Sequence, residues 1–300
     1  MPFLYMPDTG VNYHIEAGDY RKLARALTRV ENDLSGAQEI LHSLNPSPGC
    51  VVIGITGPPG AGKSTLVNGL IDQLTARGKR IAVVAIDPTS PFNMGSLLGD
   101  RIRMTGQFNK PEVYIRSLAT RGSLGGLSAK TIEIVDVLKS AGFDYILVET
   151  VGVGQSEVEI VGLADITVVV LVPESGDEIQ SIKSGLMEIA DIFVVNKADR
   201  EGAQTFANNL KKLFHQKVED IPVIMTVADR AEGIEKLMDA IEKHANSENK
   251  HRPFLLAEKA WRLIQKHRMD DIDKKKLQRD IAEASKSADF NLYRFVASLV

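Results

Sequence analysis

The run Gly57, Pro58, Pro59, Gly60, Ala61, Gly62, Lys63, Ser64 and Thr65 fits the pattern G-x-x-x-x-G-K-[ST]. It follows a β-branched stretch, Val51 to Thr56, and precedes a helical pattern opening near Lys63. Glycines at 60 and 62 let the backbone curl so that successive N–H groups face phosphate oxygens, and a helix N-terminus adds partial positive charge. Lys63 is then expected to span the β and γ phosphates, and the Ser64 hydroxyl to ligate Mg²⁺. Two apolar runs end in acids suited to the same metal: Ile81 to Ile86 leads into Asp87, and Tyr145 to Val148 leads into Glu149. Ligands of open parallel sheets bind beyond the carboxyl ends of strands, so both acids are expected near the phosphates. Spacing alone leaves Asp100 open, because an acid on a surface helix reads the same way. Gly152 and Gly154 permit a backbone N–H to meet a γ phosphate and to turn away when it leaves. Gln155 is a candidate for positioning the attacking water.

Asn196-Lys-Ala-Asp199 ends another apolar run, Ile192 to Val195, and matches the N-K-x-D pattern of guanine readers. The Asp199 carboxylate accepts from both N1–H and N2–H₂ of guanine, a donor pair that adenine lacks. The Lys197 stem is expected along the base, and Asn196 is expected to tie this loop to the phosphate loop. Val227, Ala228 and Asp229 then fall where a Ser-Ala pair usually meets guanine O6. The backbone N–H survives that difference; the support of a serine hydroxyl does not.

These residues need a sheet to hold them. Short β-branched runs alternate with helical stretches: Val51 to Thr56, Arg80 to Ile86, Val113 to Leu118, Tyr145 to Glu149, Ile166 to Val172, Ile192 to Asn196 and Val223 to Val227. The alternation predicts a three-layer α/β fold with a mostly parallel central sheet. Before it, Leu23, Leu27, Val30 and Leu34 recur at helical spacing, which predicts an amphipathic N-terminal helix. After Gly233 the chain reads as helical to its last residues. The expected organisation is an N-terminal helical extension over 1–48, a nucleotide-binding domain over 49–247 and a C-terminal helical extension over 248–300. That last part is either a solvated face or a dimerisation arm whose apolar stripe includes Leu255, Leu256, Trp261, Leu263 and Ile264.

Composition narrows the classes. A net charge of −3 gives no positive field for nucleic acid or an anionic membrane. Cys50 is the only cysteine, so neither an intramolecular disulfide nor a Cys-x-x-Cys site exists. Met1 to Pro7 lacks a basic, apolar leader pattern, and no apolar run is long enough to cross a membrane, so a cytoplasmic protein is expected.

Taken in order and spacing, GPPGAGKST, DPTSP, GDRIRM, RGSLGGL, ETVGVGQSE, PESGDEIQSIKSG and NKAD resemble the MeaB/ArgK family of methylmalonyl-CoA mutase-associated P-loop GTPases. The likeness runs from about Asp19 to His244. It implies a GTP-hydrolysing chaperone, using GTP/GDP and Mg²⁺, that gates adenosylcobalamin loading onto an acyl-CoA mutase and protects that enzyme. It also implies Mg²⁺-site roles for Ser64, Asp87, Asp100 and Glu149, a homodimer, and a switch over Pro173 to Lys183 that touches the client. The competing reading is a GTP-dependent metallochaperone of the nickel-insertion type. Such a protein needs Cys or His ligands, and the histidines of this chain show no paired ligand spacing.

Overall fold

A computed structural model of the 300-residue chain describes residues 15–87, 104–119, 129–150, 160–176, 190–214, 221–245, 252–269, 271–287 and 290–299. Seven strands run in the order β3-β2-β4-β1-β5-β6-β7, every pair parallel. They are β1 (Val51–Thr56), β2 (Ile81–Asp87), β3 (Val113–Ala119), β4 (Tyr145–Glu149), β5 (Ile166–Leu171), β6 (Ile192–Val195) and β7 (Val223–Met225). All seven expected strands are present. The Val and Ile runs of β4, β5 and β6 are buried on both faces, which is what parallel strands covered by crossover helices require, whereas β3 and β7 at the two edges are only partly buried.

Alternate residues of each strand serve opposite layers. Val52, Val84, Ile146 and Val148 pack with Leu23, Leu27, Val30 and Ile40 of α1 (Tyr20–Glu31) and α2 (Ala37–His42), and with Ile132 and Val135 of α4 (Ala129–Lys139). Ile53, Ile55, Val83, Leu147, Val168 and Val194 face the other way. They pack on Leu66, Leu70 and Leu74 of α3 (Lys63–Ala76) and on Leu237 and Ile241 of α6 (Ile234–Ala245). Phe193, Val169 and Leu171 complete the core with Phe206, Ala207 and Leu210 of α5 (Ala203–Phe214). The fold is therefore a three-layer α/β sandwich.

Helix α1 begins where Asp19 Oδ1 accepts from the Lys22 N–H at 2.9 Å, a side-chain cap for an otherwise unsatisfied donor. Its apolar face belongs to the main core: Leu27 and Val30 are fully buried, and Tyr20 stacks on Phe143 at 6.2 Å. Leu27→Ala should therefore cost about 2–5 kcal/mol of stability. Urea unfolding reads this directly, and a loss below about 1 kcal/mol would make the helix peripheral.

Contacts divide the chain into two compact units, Met1–Leu256 and Ala257–Val300. The later helices are α7 (Arg252–Arg268), α8 (Lys274–Ala284) and α9 (Leu292–Ala297). Within the second unit Asn291 caps α9 by accepting from the N–H groups of Tyr293 and Arg294, and Trp261 and Tyr293 are 59% and 84% exposed. Among the described residues no helix is long and apolar enough to cross a membrane.

Candidate nucleotide site

Strand β1 lies where the chain changes direction across the sheet, with β4 on one side and β5 on the other. A crevice at the carboxyl ends is expected at such a point. The segment from Gly57 to Gly62 turns there and opens α3 at Lys63. Two glycines have steric reasons. A Cβ at Gly57, where φ is +135°, would stand 2.1 Å from the Val170 carbonyl oxygen; one at Gly62 would stand 2.3 Å from Asn196 Nδ2. At Gly60, by contrast, a Cβ would meet nothing within 4 Å, so that side of the turn is open. Lys63 is buried, and its ammonium donates to the carbonyls of Gly57 at 2.7 Å and Pro58 at 3.0 Å.

The Ser64 hydroxyl donates to Glu149 Oε1 at 2.7 Å, both side chains being buried. Sequence-distant residues thus meet at the start of α3, as expected. Asp87 closes β2, the neighbour of β4, two positions beyond the residue paired with Glu149. A hydroxyl and a carboxylate are the hard oxygen donors that suit Mg²⁺, so Ser64 and Glu149 fit that ion. Asp100, Gly152 and Gln155 lie outside the described residues, as do Asp177 to Lys183. One buried contact was not anticipated: the Thr150 hydroxyl donates to Thr56 Oγ1 at 2.9 Å. It joins the residue after Glu149 to the residue before the phosphate loop.

On the other side of β1, Asn196 is almost wholly buried and does join the two loops. Its Nδ2 donates to the Ala61 carbonyl at 2.8 Å, while its Oδ1 accepts from Thr226 Oγ1 at 3.0 Å and the Ala228 N–H at 3.2 Å. The Ala228 N–H, expected at guanine O6, is thus directed at Asn196. Thr226 is a second residue that pattern reading passed over; its only signal was a hydroxyl at the end of an apolar run. Lys197 has φ +54° and donates from Nζ to the Gly60 carbonyl at 2.7 Å, spanning the gap between base loop and phosphate loop.

Asp199 is partly exposed, and its Oδ2 accepts from Arg230 Nη2 at 3.5 Å. Arg230 ends a 3₁₀ turn, Ala228–Arg230, which also carries Asp229. Val227 and Glu232 exchange backbone hydrogen bonds across this turn at 3.1 and 3.2 Å. Arg200, next to Asp199, donates to Glu174 in the turn after β5, and that hydrogen bond holds the Glu174 carboxyl below its usual range.

A family model described as methylmalonyl-CoA mutase-associated GTPase MeaB matches residues 23–281. A putative GTPase of Pyrococcus abyssi is 51% identical over 85% of this chain and 78% of its own length. A mouse protein named methylmalonic aciduria type A homolog, mitochondrial, is 35% identical over 82% of this chain and 62% of its own length. The crystal structure of a LAO/AO transport system kinase superposes with a TM-score of 0.65, at 24% identity, covering 94% of this chain and 92% of that one. At that identity the likeness carries the fold alone. The protein is a P-loop GTPase that binds GTP and GDP, and the chain belongs to the MeaB family of methylmalonyl-CoA mutase-associated GTPases.

Proposed function

We propose that this GTPase is a chaperone of an adenosylcobalamin-dependent acyl-CoA mutase, with methylmalonyl-CoA mutase as the client, and that nucleotide state gates loading of the cofactor and protects the enzyme. The observation that carries this reading is the family match over residues 23–281, whose description names association with that mutase. It also favours this reading over nickel insertion.

In the site, Lys63 supplies positive charge to the β and γ phosphates. Ser64, Asp87, Asp100 and Glu149 hold Mg²⁺, which would neutralise phosphate charge. Gly152 offers a backbone donor to the γ phosphate, and Gln155 orients water. Asp199 reads the guanine edge, Asn196 and Lys197 brace it, and the turn of Val227, Ala228 and Asp229 closes over the base. The 2.7 Å contact between Ser64 and Glu149 supports the metal assignment, because both oxygens already converge beside the phosphate loop. The helical segment 248–300 is the dimerisation element of a cytoplasmic homodimer; exposed Trp261 and Ile264, three apart on α7, are its apolar anchors.

Without a client, hydrolysis is expected at about 10⁻⁴ to 10⁻² s⁻¹, the range of unassisted GTPases. Purified methylmalonyl-CoA mutase should raise that rate by at least about tenfold, as completing a GTPase site from outside does. The check is phosphate release with and without the mutase, paired with retention of the mutase on the protein loaded with GDP or a non-hydrolysable GTP analogue. An unchanged rate together with no retention in either state would remove the client from this reading.

A further inference from the structure

A valine stands at position 227, at the start of the turn that follows β7. Val227 is buried, and both of its backbone polar groups are engaged by Glu232. Three residues further on, Arg230 sits at the end of the same turn. Its N–H bonds to the Val227 carbonyl at 3.0 Å, and Ala231 follows in the left-handed region at φ +56°. The backbone therefore fixes where the Arg230 side chain starts, and its Nη2 arrives 3.5 Å from Asp199 Oδ2.

We infer that Arg230 positions the Asp199 carboxylate for guanine. The inference rests on Asp199 being the guanine reader. Arg200 is adjacent to Asp199 in the chain but donates to Glu174, so the two guanidinium groups have separate partners. At 3.5 Å the Arg230 contact is long for a charged hydrogen bond. It orients one oxygen without filling it, and a carboxylate retains further acceptor sites for N1–H and N2–H₂. The pair is exposed, 60% on Arg230 and 40% on Asp199, so water and salt screen it. Exposed pairs of this kind change an equilibrium by about two- to fivefold.

The test compares GDP with IDP, whose base keeps N1–H but lacks the amino group. Loss of positive charge alone weakens both nucleotides equally through their phosphates; loss of carboxylate orientation weakens the ligand that uses two donors more. Arg230→Gln should therefore bind GDP about threefold more weakly and IDP clearly less so, with the melting temperature of the nucleotide-free protein unchanged. In the Asp199→Asn background the same change should add no further preference, because the group it orients is gone. An equal loss for both nucleotides, or no loss, with Asp199→Asn still shifting preference to xanthosine nucleotides, would overturn the role of Arg230. If Asp199→Asn produces no such shift, the guanine assignment itself falls, and the inference falls with it.

Discussion

Lys63→Ala is expected to lower GTP turnover by about a hundred- to a thousandfold, the scale on which removal of one preorganised charge or donor acts at a reacting centre. The ammonium belongs to the first residue of α3, at the end of the turn that runs from Gly57 to Gly62. From sequence alone the lysine points only at ligand, and its loss leaves the fold intact. The structure adds a second role: buried Lys63 donates to the Gly57 and Pro58 carbonyls and so braces the loop. A stability loss of about 1–2 kcal/mol should accompany the loss of turnover. Single-turnover hydrolysis at saturating GTP, read beside thermal unfolding, separates the two effects. Turnover within about threefold of the native protein would remove Lys63 from the phosphate site.

Asp199→Asn should exchange guanine preference for xanthine preference by about a hundredfold or more, from two charge-assisted hydrogen bonds worth about 1.5–3 kcal/mol each. Guanine presents donors at N1 and N2, and the native carboxylate accepts both. An amide keeps one acceptor for N1–H and turns its NH₂ toward position 2, where guanine carries an amino group and xanthine a carbonyl oxygen. The supports of the loop remain in the variant, since Asn196 and Lys197 bond to the phosphate loop independently of the carboxylate. Competition between GDP and xanthosine diphosphate measures the exchange. Retained guanine preference would place the reader elsewhere.

Strand runs, the phosphate loop and the base motif were legible in the sequence because each rests on local chemistry. Val and Ile runs such as β4, β5 and β6, four to six residues long, make strands buried on both faces. Glycines at 57 and 62 occur where a Cβ would meet the Val170 carbonyl and the Asn196 side chain, and Asn-Lys-x-Asp carries its donor and acceptor pattern within four residues. Likewise the spacing of Leu23, Leu27, Val30 and Leu34 announces an amphipathic helix, though not what covers it, and the last of the four falls outside: the helix ends at Glu31 and Leu34 is exposed.

Partner choice across the chain belonged to the tertiary structure. Ser64 meets Glu149, and Thr150 meets Thr56, only because β4 lies beside β1, an adjacency set by strand order rather than by any property of either segment. The N-terminal helix reads as an extension, yet its face joins the main core beside α4, since burial is decided by what the sheet leaves uncovered. At the base site, the motif itself implies the link of Asn196 to the phosphate loop, but Thr226 and the Ala228 N–H as its other partners come from the packing of β7 beside β6. The pairing of Arg230 with Asp199 had no sequence signal at all. An exposed arginine three residues past Val227 acquires meaning only when a turn held by Glu232 brings it back to the carboxylate.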